Sequence, residues 1–193
     1  MSRDSVEAMQ ATRIPLQGRE TRRHRTLDER IIVRFPALAR WIATVWARLP
    51  RHSRVRRAIL IRRLWQGYAA VNRRDFDVLM LGLDPNVELR RAHLLLDTPV
   101  DFHGHAGFRE NWLQVLEAFE DLRLDPEELL DLGDRLIITA QLSGHGAGSG
   151  IPVGDRIHQV ITLRRGLVVR EHDFLDRAEA LEAAGVGEYT GRT

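Results

Sequence analysis

The sequence predicts an α+β fold: a curved antiparallel sheet with helices packed on one face, preceded by a helical extension. Three observations carry this. Residues 156–164 and 167–174 are β-rich runs flanking a tight Arg165-Gly166 turn. The second run leads straight into a short helix after Phe174-Leu175-Asp176. The order along the chain is helices, a strand, a helix and then a meander of strands, which places the helices together on one side of the sheet.

The elements follow in order. Residues 1–30 are polar and aperiodic, with the run Arg22-Arg23-His24-Arg25, and read as a disordered basic arm. Residues 31–52 form an amphipathic helical extension. Pro36 suits its first turn. Leu38, Trp41, Ile42, Val45, Trp46 and Leu49 recur at i, i+3, i+4, i+7, i+8 and i+11, one apolar stripe. Leu49-Pro50 ends it. Residues 53–186 make the main domain and 187–193 a tail. Ser53 is suited to cap a helix running from Arg54 to about Arg73. Asp75 caps a second, short helix that Gly82 ends. Asp84-Pro85-Asn86 reads as a turn before a short strand from Val87. Residues 93–105 carry no clear pattern. A further helix follows Gly107, with Trp112, Leu113, Val115, Leu116 and Phe119 apolar.

Leu122 and Leu124 then alternate with polar residues before Pro126, and Leu132-Gly133-Asp134 marks a turn. Residues 135–143 are the strongest strand. The run "GHGAGSG" (144–150) joins strands and lacks the spacing of a phosphate-binding loop, so it reads as a flexible hairpin tip. Asp176, with Glu179 at capping-box distance, begins the last helix.

Composition narrows the function classes. The 193 residues are 44% apolar and 29% charged, the ordinary balance of a soluble globular domain. With no cysteine, disulfides and thiolate metal sites are excluded. No run approaches the roughly 18 apolar residues of a membrane span, and the N-terminal residues lack the apolar core of a signal peptide, so a cytoplasmic location is expected. Every basic residue is arginine. Residues 1–63 hold 16 Arg against 5 acidic residues, or +11, and residues 64–193 hold 13 against 22, or −9. The two halves therefore differ in kind.

Three segments, "YAAVNRRDFDVLMLGLDPNVEL" (68–89), "GHAGFRENWLQVLEAFEDLRLDPEELLDLGDRLIITAQLSGHGAGSG" (104–150) and "HQVITLRRGLVVREHDFLDRAEALEAAGV" (158–186), occur in the order of a known superfamily. Through them the chain resembles the SnoaL-like branch of the nuclear transport factor two-like superfamily, which holds polyketide cyclases and ketosteroid isomerase beside non-catalytic binding modules. The resemblance implies a cone-shaped fold whose helices pack on the concave face of the sheet. It implies a pocket between them for a small hydrophobic, polyketide- or steroid-like molecule, and often a homodimer through the outer sheet face. Catalytic members use pocket Asp, Tyr, His or Arg as acids and bases, in isomerase, cyclase or hydratase chemistry. No cofactor is implied. Fold does not choose among these functions.

The candidate residues follow. Trp65 and Tyr68 share a helix face; they either line the pocket or pack in the core. Asp173 and Glu171 share one face of the last strand, His172 and Phe174 the other, and a period of two cannot choose which faces inward. Apolar walls would raise the pKa of Asp173 and suit it to act as a base. Gln141, His158 and Gln159 are polar residues on central strands; Gln141 and His158 are taken as cavity residues. The catalytic candidates are Asp173, His158 and Tyr68, and the pocket candidates Trp65, Tyr68, His103, Trp112, Gln141, His158 and Phe174. His103 and His105 lack an evident third ligand, so no metal is expected. Apolar residues at Ile137, Ile138, Val160, Ile161, Val168 and Val169 suggest a sheet covered on both faces, hence a homodimer. The competing reading is a non-catalytic dimerisation or partner-binding module whose N-terminal helix docks a protein or membrane surface. Nucleic-acid binding is not expected, and membrane contact is the lesser reading of the basic arm.

Overall fold

A computed structural model describes residues 12–16, 24–50, 52–92 and 101–186. The start of the basic arm, Arg22-Arg23 and the tail at 187–193 lie outside the described residues. Six helices are described: α1 (Leu27–Arg34), α2 (Pro36–Ala47), α3 (Arg54–Arg73), α4 (Phe76–Met80), α5 (Gly104–Ala118) and α6 (Arg177–Ala183). Strands β1 (Thr12–Pro15), β2 (Leu83–Arg90), β3 (Asp101–His103), β4 (Arg123–Asp131), β5 (Arg135–His145), β6 (Pro152–Arg164) and β7 (Leu167–Phe174) form one curved, unclosed sheet. Its order is β1-β4-β5-β6-β7-β2-β3. All neighbours are antiparallel except β2 and β7, which run parallel, a departure from the purely antiparallel expectation.

Two faces of this sheet do different work. Ile138, Ala140 and Leu142 on β5, with Ile157 and Ile161 on β6, face α3 and α5 and close the main core with Leu60, Leu64, Tyr68, Val115 and Phe119. On the other face, Ile137 and Val160 lie under α6, against Ala180, Ala184 and Val186. Part of the outer face is thus covered by the chain's own C-terminal helix. Asp176 caps that helix, accepting from Ala178 N at 2.7 Å and Glu179 N at 3.0 Å. The β6–β7 turn has Arg165 at φ 52° and Gly166 at φ 76°, the pair of positive φ values a tight primed hairpin turn requires.

Several local expectations are corrected. Within the segment read as disordered, Thr12–Pro15 pairs with β4 and buries Ile14 and Leu16, an alternation short enough to escape notice. Leu27–Arg34 is helical because Glu29 reaches back to Thr26 N at 2.7 Å, half of a capping box in the sequence Thr-Leu-Asp-Glu. Pro85 and Pro126 lie inside β2 and β4, not beyond their ends. Both strands shift register there, between Leu83 and Glu88 and between Pro126 and Glu128, so neither proline interrupts a regular ladder. Helix α5 begins at Gly104, earlier than Gly107, with Gly104 at φ 66°, where an added Cβ would stand 3.0 Å from Pro85 O.

The extension docks, though not by its whole stripe. Ala39, Ala43 and Trp46 are the buried edge of α2, while Leu38, Trp41, Ile42 and Val45 are exposed. The dock is close. A Cβ on Gly166 would stand 2.2 Å from Ala43 O. Helix α3 is fastened to the far end of β4 by buried Arg56, whose Nη1 lies 2.6 Å from Asp131 Oδ2 and whose Nη2 donates to Gly133 O at 2.8 Å.

Candidate functional site

Strand pairing settles which side chains meet. Gln159 on β6 stands opposite Ile138 on β5 and Asp173 on β7, and Ile161 stands opposite Glu171. All five therefore face the helices, and Tyr68 on α3 comes down onto them. The Tyr68 hydroxyl donates to Gln159 Oε1. Gln159 Nε2 donates to Glu171 Oε1 at 2.7 Å and to Asp173 Oδ1 at 3.1 Å. One amide thus joins a phenol to two carboxylates. Tyr68, Gln159 and Glu171 are buried and Asp173 is half-buried.

This placement perturbs every acid in the cluster. Burial, offset by the Gln159 hydrogen bond and by the positive charge of Arg91, pushes Asp173 up to about 7. Burial and then the neighbouring Asp173 charge push Glu171 well above the carboxylate range. Burial and the two carboxylates raise the Tyr68 phenol, so it stays protonated. Arg91 is buried beside the cluster, donates from Nη1 to Asn111 Oδ1 at 3.1 Å, and lies over the Phe102 ring at 5.4 Å. Trp112, next to Asn111 on α5, packs between the main core and the smaller cluster around Val87 and Phe108. Its indole N–H is buried without a partner among the described residues. Two carboxylates sharing a low-dielectric site with one cation is an arrangement that can hold and pass a proton near neutral pH.

The sequence candidates divide between the two faces. Tyr68 and Asp173 join the cluster, and Trp65 is half-buried against the main core. His158 and Gln141 do not join it. The period of two that turns Gln159 inward turns His158 outward, where its Nδ1 lies 2.9 Å from Thr139 Oγ1. Burial and the Arg177 charge lower its pKa. Gln141 also points outward and donates to Leu142 O and Asp155 O. Phe174 is on the outer face too, its ring 4.0 Å from that of His172. His103 is exposed at the β3–α5 junction. Gln159, Arg91 and Asn111 were not selected from the sequence. The register of Gln159 with Ile138, an apolar core residue, is the signal that would have found it.

Among the described residues, no group of His, Asp or Glu side chains could hold a metal ion. An open cleft of about 450 Å³ lies elsewhere, beside Arg25, Asp75, Phe76 and Arg109. Its Arg25 is already tied to Asp75 and Asp77, and its walls are polar, so it does not suit an apolar ligand.

Residues 64–171 match the family model of the SnoaL-like domain. The fold is similar to that of TerC co-crystallised with polyporic acid (24% identity, 63% of this chain and 95% of that one, TM-score 0.54). It is similar to an NTF2-like protein of Burkholderia thailandensis E264 (21% identity, 65% and 94%, TM-score 0.54). A third similar structure is a Catenulispora acidiphila protein with a ketosteroid isomerase-like fold, in complex with trimethylamine (14% identity, 64% and 92%, TM-score 0.53). No curated protein matches the chain.

Proposed function

This chain belongs to the SnoaL-like family, and from that premise we propose that it binds a small apolar, polyketide- or steroid-like molecule and moves a proton on it through Asp173. The observation that carries the reading is the Gln159-bridged pair of carboxylates on the helix-facing side of the sheet. An acid with a pKa near the working pH exchanges a proton with least penalty in either direction, and Asp173 at about 7 is so placed. Glu171 is also pushed well above the carboxylate range by burial and the Asp173 charge, so the pair resists carrying two negative charges. Gln159 and Tyr68 are positioning residues: the phenol holds the amide, and the amide holds both carboxylates. Arg91 is the cation that balances a charge developing nearby. The Trp112 N–H, buried without a partner among the described residues, is the donor this reading assigns to a ligand oxygen. The fold neighbour crystallised with polyporic acid supports a ligand of this polarity.

The test uses polyporic acid and a Δ5-3-ketosteroid as probes, following tryptophan quenching for binding and the ketosteroid's absorbance for isomerisation. Saturable quenching by one probe, with any turnover lost in Asp173→Asn while binding persists, is the expected result. Absence of binding by both probes, or turnover untouched by Asp173→Asn, counts against the proposal. Trp112→Phe is expected to weaken probe binding about tenfold, the worth of one hydrogen bond to a buried donor.

A further inference from the structure

The N-terminal helices carry an apolar surface that the other described residues leave exposed. On α1, Leu27 and Ile31 lie one turn apart and are 76% and 51% exposed, and Phe35, which caps the helix, is 57% exposed. On α2, Leu38, Trp41, Ile42 and Val45 fall at i, i+3, i+4 and i+7 and are also exposed, Trp41 to 64%. At 3.6 residues per turn this strip lies about a third of a turn from Ala39, Ala43 and Trp46. Helix α2 thus has a broad apolar arc, commits one edge to its own core and turns the other outward. A contiguous exposed apolar strip of this kind is an interaction site.

The charge around the strip is mostly positive: the acids of α1, Asp28 and Glu29, are paired with Arg62 and Arg73. From Arg30 to Arg74 the sequence contains no aspartate or glutamate. Arg30, Arg34, Arg40, Arg48, Arg54 and Arg57 are all exposed. Arg34 lies over the Phe35 ring at 5.7 Å, a cation resting on the apolar strip itself. A second copy of this chain is a poor occupant. A two-fold contact brings the same patch from both copies together and would oppose arginine to arginine. The interfacial zone of a bilayer containing anionic phospholipid is a good one. Leucine, isoleucine and tryptophan enter the boundary between headgroups and acyl chains, and guanidinium groups meet the lipid phosphates. No described helix is long and apolar enough to cross a membrane, so the contact is a surface one.

We propose that α1 and α2 bind the surface of anionic phospholipid bilayers through this strip. The inference stands apart from the ligand reading, because it uses none of the residues of the Gln159 cluster. Vesicle flotation of the full chain tests it, with phosphatidylcholine vesicles prepared with and without phosphatidylglycerol. The chain is expected to float with the phosphatidylglycerol vesicles, weakly or not at all with phosphatidylcholine alone, and less as salt rises. Trp41→Ser with Val45→Ser is expected to lower partitioning about tenfold or more by removing apolar area. Arg40→Glu with Arg48→Glu is expected to abolish the preference for anionic lipid. Leu113→Ser, which changes an exposed leucine on α5, is expected to leave partitioning unchanged. Circular dichroism and thermal melts confirm that each variant is folded. The proposal is overturned if the wild type fails to float with anionic vesicles at low salt, or if the Trp41/Val45 variant floats as well as the wild type. A dimer in sedimentation that the same variant dissociates, without vesicle binding, assigns the strip to a second copy and overturns it equally.

Discussion

The amide of Gln159 has only one useful orientation, because its Oε1 meets a phenol and its Nε2 meets two carboxylates. Turning it over would set an acceptor against acceptors. Tyr68→Phe removes the donor that holds this orientation and strands a buried amide oxygen, so a loss of about 1–3 kcal/mol is expected in urea denaturation. Asp173 predicts a pH dependence. Its ordinary value is 3.8 and its folded value about 7, so between these limits the folded chain keeps a proton that the unfolded chain releases. The stability this contributes is full below about pH 4 and lost as pH rises through about 7. Glu171, raised by the same burial, acts in the same direction. Asp173→Asn is expected to flatten the fall in melting temperature between pH 5 and 8, and to be more stable than wild type at pH 8 by on the order of 2 kcal/mol. A melting curve that declines with pH as steeply in the variant would show that Asp173 is not the proton store. Asp173 was legible in the sequence as a candidate, but its inward orientation was not. Alternation fixes that Asp173 and Glu171 share a face, while the direction of that face depends on where β7 pairs and on which side α3 lies.

At the scale of elements, the close seat between the β6–β7 turn and α2 makes a sharp prediction. Gly166→Ala places a methyl 2.2 Å from a backbone oxygen at a φ of 76°, and no flexible side chain is there to yield. A loss of about 2 kcal/mol or more is expected, read as a lower urea midpoint, with α2 displaced. Beside it, Arg165 holds φ 52° without being glycine or asparagine, so Arg165→Asn is expected to gain up to about 1 kcal/mol in the same measurement. Arg56→Met tests the fastening of α3 to β4. It removes one member of a buried pair, leaves Asp131 uncompensated, and is expected to cost about 3 kcal/mol or more. Helices α2 to α4 and strands β5 to β7 were legible because their periodicity and caps are long and regular, as with Ser53 and Asp75. Helix α1 and strand β1 were missed because eight and four residues give periodicity too little length. The prolines of β2 and β4 were read as strand ends because a bulge that tolerates them leaves no mark in composition.

At the scale of the whole molecule, the two faces of the sheet bear on assembly. Ile138 and Ile161, part of the motive for a homodimer, face the core, and Ile137 and Val160 lie under α6. What remains on the outer face is mixed in polarity, with His158, His172 and Gln141 among the apolar side chains. The homodimer is therefore a proposal that rests on the family resemblance, and sedimentation at micromolar concentration tests it. Removing residues 1–50 takes away Ile14, Leu16, Ala43 and Trp46, all members of the main core, and bares the edge of β4. A lower melting temperature and aggregation are expected; unchanged melting would mean that these residues do not belong to the fold. The seat of Ala43 on Gly166 also sets a timetable. The ribosome makes α2 well before the β6–β7 hairpin, with three helices and four strands between them, so the helix waits for its place to rest. Throughout that interval both apolar edges of α2 stand in water, the one that will be covered and the one that will not. Newborn chains are then at their most adhesive, and a chaperone able to shield a short arginine-rimmed helix would have its clearest use before the β6–β7 hairpin emerges.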